Sequence, residues 1–231
     1  MNTTINFQEL AIALAVNNLN PTVLNPDFLK YSGVISENWE LARPPVYSNQ
    51  CVQLVFQSGV AIVAQPNRIT FLEAINDKAL QEVQVAAIAG RYVEKLSNVE
   101  YEAVGINPKG YVTFSEPDGA YQYFLKNILI AGSWQRFGQA PVKATVQLAY
   151  TLEQSQLNLT VNEATLQLPE EQSLPAILFS GNFNHEITGS SRDERLQYTQ
   201  RLIESWEADL KTFRELVDTK FLQQHVSAIA G

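Results

Sequence analysis

The residues able to attack, transfer a proton or hold a metal are few in this chain and far apart. There are two histidines, His185 and His225, and one cysteine, Cys51. Neither histidine stands at ligand spacing from the other or from Cys51. The chain has no Cys-x-x-Cys and no His-Glu-x-x-His, so no metal site is predicted. His185 and Glu186 are neighbours in a predicted strand, where adjacent side chains face opposite sides and cannot easily share an ion. A reactive thiol needs an electropositive neighbourhood, which the residues beside Cys51 do not supply, so it reads as a small packing residue. No Gly-x-Ser-x-Gly elbow is present. Gly105-Ile106-Asn107-Pro108-Lys109-Gly110 sets a lysine between glycines but lacks the Lys-Ser/Thr ending and leads into no helix. It reads as a turn rather than a phosphate loop. Glu170 and Glu171 lie in a solvated loop, where nothing separates their pKa values for acid–base work. No catalytic residue and no cofactor is assigned.

Aromatic residues paired with arginine are the remaining candidates. Trp39 is followed by Arg43, and Trp134 by Arg136. Each guanidinium has the reach to stack on its tryptophan or to meet an acid. As a ligand-binding set, Trp39, Arg43, Trp134 and Arg136 would line a cleft between two halves of the molecule.

Those halves come from a repeat. Phe28-Leu29-Lys30 recurs as Phe124-Leu125-Lys126, Trp39 as Trp134, and Pro45-Val46 as Pro141-Val142. Val52-Gln53-Leu54 with Phe56 recurs as Val146-Gln147-Leu148 with Tyr150, and Asn67 with Thr70 as Asn162 with Thr165. The order is kept and the offset drifts by about one residue, as small loop insertions would give. Residues 1–110 and 111–231 are therefore predicted to be half-repeats sharing one core, with no flexible linker between them.

The elements that must position these residues follow from periodicity. A strand is predicted at 10–16, then a turn region over 17–27. Strands at 50–57 and 60–65 meet at Ser58-Gly59, a hairpin signal, and a third strand covers 68–73. A helix over 77–96 is followed by a strand at 99–106, a turn at Asn107–Gly110 and a short strand at 111–114. The second half reads as a helix at 117–130, strands at 142–152, 156–161, 163–168 and 176–188, and one long helix over 192–224. Ile203, Trp206, Leu210, Phe213 and Val217 form a narrow apolar seam on that helix. Runs of strands joined by short turns and followed by helices define an α+β fold with antiparallel sheet and helices packed on one face.

Composition limits the partners. The chain has 231 residues, 45% of them apolar, and a net charge of −8. An acidic average field disfavours nucleic acid and an anionic membrane surface. Leu10 to Val16 is apolar but too short to span a bilayer, and no basic residue precedes Lys30, so neither a membrane span nor a signal peptide is read there. A single cysteine fits a reducing, cytoplasmic setting.

The run Leu24–Gly33, continuing through Asn38–Pro44 and Val60–Arg68, resembles uncharacterised conserved proteins of cyanobacteria. The resemblance covers about the first third of the chain. It implies a bacterial cytosolic setting and carries no activity or site residue. The expectation is a non-enzymatic protein-interaction module, acting as a homodimer or with a protein partner. The alternative is a small-molecule binding protein, or an enzyme, with its site between the halves.

Overall fold

A computed structural model describes residues 4–17, 19–76, 78–130, 132–167 and 173–223. Among these residues, nine strands form one antiparallel sheet. They are β1 (Asn6–Val16), β2 (Val46–Tyr47), β3 (Val52–Val55), β4 (Val60–Gln65), β5 (Arg68–Ala74), β6 (Tyr101–Thr113), β7 (Thr145–Thr151), β8 (Gln156–Gln167) and β9 (Ser173–Glu186). Their order across the sheet is β2-β3-β4-β5-β1-β6-β9-β8-β7. The described α-helices are α1 (Pro26–Tyr31), α2 (Val85–Lys95), α3 (Gly119–Asn127), α4 (Arg192–Glu204) and α5 (Trp206–Leu216).

Strand alternation decides which face is covered. Leu10, Ile12 and Leu14 of β1 are fully buried, while Ala13 and Ala15 between and beyond them are half-buried. Ladder register carries this pattern across the sheet. Leu54, Ile62, Phe71, Ile12, Ile106, Phe183 and Leu157 form one transverse row, each opposite the next. Every member of the row is buried and belongs to a single apolar core. All five helices lie on that side. Phe213 of α5 approaches β9 so closely that a Cβ on Gly181 would sit 2.8 Å from its ring, so only glycine fits there. Among the described residues, the opposite face carries no helix.

Several predicted elements are in place and others are corrected. The hairpin turns at Gly59, whose φ of 84° is left-handed and suits glycine. The turn predicted at Asn107–Gly110 is not a turn: β6 runs unbroken from Tyr101 to Thr113. Pro108 gives up a donor, but the strand is held on both sides by β1 and β9, and the tertiary ladders override local turn chemistry. A division at 110/111 would therefore cut a central strand. The helix predicted over 77–96 shortens to α2, preceded by a 3-10 turn at Leu80–Glu82. The strands predicted at 156–161 and 163–168 are one, β8. Helix α1 begins at the end of the predicted turn region and is not itself predicted; Asn25 caps it by accepting from Phe28 N–H and Pro26 opens it.

The single helix predicted over 192–224 is interrupted at Ser205, which ends α4 and precedes α5; a π-helical turn, Val217–Leu222, then closes the described chain. Its apolar seam is buried as predicted, from Ile203 through Val217.

Candidate functional site

The uncovered face of the sheet is shallowly concave at its centre. Small residues make the floor: Ala11, Ala13 and Ala15 on β1, and Ala103 and Gly105 on β6. Longer polar residues on the flanking strands make the walls: Arg68 and Thr70 on β5, Asn107 on β6, and Asn182 and Asn184 on β9. Together they enclose a trough of about 300 Å³. It follows from strand register, because the floor residues sit one step off the buried row and so point away from the core.

Within the trough, Asn107 Nδ2 donates to the carbonyls of Ala11 at 3.3 Å and Gly105 at 3.2 Å. Asn107 Oδ1 in turn accepts from Asn182 Nδ2. That pairing fixes two amides and leaves further amide, hydroxyl and guanidinium groups facing outward. Among the described residues, the side chains of Thr70, Asn184 and Arg68 make no hydrogen bond within the chain. The lining contains no carboxylate, imidazole, thiol, amine or phenol, so none of its groups is a ready general base or nucleophile near neutral pH.

A second groove, of about 380 Å³, lies beside the start of α4 and includes Tyr101, Arg192, Arg195 and Thr199. Its arginines are committed to structure. Arg192 donates through Nε and Nη2 to Ser97 O, at 3.0 and 2.7 Å. Arg195 donates to Ile187 O at 3.1 Å and to Tyr101 O at 2.8 Å. Arg195 thus ties α4 to the ends of β6 and β9, and Arg192 ties it to the turn that follows α2. Glu194 is held below the ordinary carboxyl range by hydrogen bonds from the Ser190 hydroxyl and backbone and the Ser191 backbone. Burial pushes the Tyr101 phenol well up, and nearby Tyr92 adds to the effect.

Two buried polar anchors lie on the covered face. Glu73 of β5 is fully buried, accepting from Gln84 N–H at 2.7 Å and Val85 N–H at 2.8 Å at the head of α2, and pairing with Lys78 Nζ at 2.7 Å. His185 of β9 is also buried, with Nε2 2.7 Å from Asp209 Oδ2 on α5. Its Nδ1 has no partner among the described residues. Among those residues, no three His, Cys, Asp or Glu side chains come together where they could hold a metal ion.

The two tryptophans of the predicted tryptophan–arginine set stand in separate connections. Trp39 is half-buried, its ring 5.3 Å from Phe56. Arg43 is exposed close by. Trp134 lies in a 3-10 turn after α3 and is 44% exposed, and the Arg136 side chain lies outside what is described. The two tryptophans sit in the connections that enter β2 and β7, near opposite margins of the sheet. Trp39, Arg43 and Trp134 line neither the trough nor the groove. His225 and the pair Glu170-Glu171 lie outside the described residues. Cys51 is half-buried at the entrance to β3.

Sequence reasoning missed Asn107, Asn182 and Asn184 because an asparagine in a strand has no motif of its own. Strand order alone brings β6 beside β9. Asp209 was foreshadowed only by its place beside Leu210 of the apolar seam.

No protein-family model matches the chain. No curated protein is significantly similar to it. Among the described residues no helix is long and apolar enough to cross a membrane.

Proposed function

We propose that the protein is a non-enzymatic binding module made of two duplicated halves, with its partner lying on the uncovered sheet face across the β1–β6 junction. One observation carries the reading. The trough at the centre of that face offers amide, hydroxyl and guanidinium groups over a floor of alanine and glycine, and its lining has no titratable base. Such a surface suits an extended polar partner, whose backbone-like donors and acceptors it can match.

Topology supports the duplication. Each half runs as a central strand, a short helix, a β-meander and a packed helix, and the strand order mirrors about β1 and β6. Phe28-Leu29-Lys30 and Phe124-Leu125-Lys126 fall on α1 and α3, and Val52-Gln53-Leu54 and Val146-Gln147-Leu148 on β3 and β7. The anchors Asn67/Thr70 and Asn162/Thr165 do not support it. The first pair lies at the β4–β5 turn and in β5, the second wholly within β8. A cytoplasmic bacterial setting belongs to the same reading, from the cyanobacterial resemblance and the single cysteine.

The test is a photo-crosslinking residue placed at Thr70 on the open face, with a control at exposed Thr212 on α5, in living bacterial cells. A crosslinked product of one discrete mass from Thr70, lost when Ala13→Trp fills the trough, is the expected result. Products from Thr212 alone, or Thr70 products indifferent to Ala13→Trp, would sink the reading.

A further inference from the structure

The connection from α3 to β7, residues 128–144, carries an apolar cluster that no other described residue covers. Ile130 is 90% exposed, Phe137 91% and Trp134 44%. Their neighbours Ile128 and Leu129 pack against the core. The connection is thus anchored at its base and bare at its tip. Large apolar groups left in water at this density mark a contact surface.

Charge is distributed to match. All 24 acidic residues lie outside the stretch between Asp118 and Glu153, and that stretch holds Lys126, Arg136 and Lys143. Lys126 and Lys143 are exposed. Lys143 also feels Glu163 of β8, which balances part of its charge. The net charge of −8 argues against an anionic surface only if it is spread evenly, and here the acids are elsewhere.

We propose that this connection is a peripheral membrane anchor that inserts Ile130, Trp134 and Phe137 into the interface of an anionic lipid surface, with Lys126 and Lys143 at headgroup level. Apolar and aromatic side chains beside cations without acids are the chemistry of interfacial binding. Two geometric points favour lipid over protein. Ile130 and Phe137 stand almost clear of the molecule's own surface, so a protein partner would need deep pockets to receive them, whereas acyl chains rearrange around them. A symmetric contact with a second copy would set the lysines of one chain against the lysines of the other. The inference is independent of the sheet-face reading, since the connection contributes no residue to the trough.

The experiment is flotation of the full chain with vesicles of phosphatidylcholine alone or mixed with phosphatidylglycerol, alongside light scattering of the lipid-free protein. Wild type is expected to float with the anionic vesicles and to lose this in high salt. Ile130→Ser with Phe137→Ser should lower the partition at least tenfold, and Lys126→Glu with Lys143→Glu should lower it too. All four side chains are solvent-exposed, so folding is preserved, as a circular dichroism melt checks. No partition into anionic vesicles, or equal partition by the serine variant, overturns the proposal. So does a wild-type oligomer that the serine variant dissociates, which assigns the surface to a second copy.

Discussion

The connections that lead into β2 and β7 start from similar residues and end differently. In the first, Val34 and Ile35 are buried, Trp39 rests on Phe56, and Leu41 bridges to the same Phe56. Arg91 on α2 holds the segment down, donating from Nε to Val34 O at 2.8 Å. In the second, Ile130, Trp134 and Phe137 face outward. The reason lies at the sheet margins. On the first side β2 extends the sheet past β3, and the connection settles against these strands. On the other side β7 is itself the edge, with Val146, Leu148 and Tyr150 only half-buried, and among the described residues no strand lies beyond it. Trp39 therefore packs against the core while Trp134 is left at the surface, according to whether the sheet reaches under the connection.

The helices α2 and α4 differ in a parallel way. The head of α2 is capped from the sheet by buried Glu73, and that of α4 by its own capping box, Ser191 with Glu194. The largest expected effect follows from this contrast. Glu73→Ala strips two backbone N–H groups of their acceptor in a closed interior and is expected to cost about 3 kcal/mol. Ser191→Ala, where water can replace the cap, is expected to cost about 1 kcal/mol. Urea denaturation measures both, and equal costs would break the contrast.

Next in size is the tryptophan pair. Trp39→Ala should cost about 2 kcal/mol, because a half-buried ring leaves its place on Phe56. Trp134→Ala should stay within about 0.5 kcal/mol of wild type. Comparable losses from the two would show that the second connection packs as the first does.

The smallest effect is local and depends on pH. The Glu194 carboxyl is lowered in the folded state, so its contribution is present above its ordinary value of 4.5 and is lost as the pH falls through the lowered folded value. Acidification below that value is expected to loosen the first turn of α4. Amide exchange there should speed up while the first turn of α2, capped from within, keeps its protection. Loss at both ends together would tie them to a global transition instead.

Much of the fold was legible because it is local. The hairpin at Ser58-Gly59 and the seam from Ile203 to Val217 are patterns that short stretches of chain fix by themselves. Pro108 misled because its turn propensity is outweighed by two ladders from distant parts of the chain. The site was nearly illegible for the same reason. Ala13, Gly105 and Asn184 share one transverse row only after β1, β6 and β9 have been placed side by side. Trp39, Arg43, Trp134 and Arg136 drew attention, whereas the trough is made mostly of alanine and asparagine, with Arg68 from β5.

The β1–β6 seam also sets the order in which the molecule can be assembled. The outer ladders are meanders whose strands are joined by short turns, so they can close early and separately. The seam joins Ile12 to Ile106, across most of the first half of the chain. Closing so long a loop is entropically slow, and its reward comes only once both flanking ladders exist. Refolding should therefore be limited by this central pairing. Until it forms, each unfinished half exposes a long apolar strand edge to its neighbours, which makes the last step to fold the one most open to misassembly at high concentration.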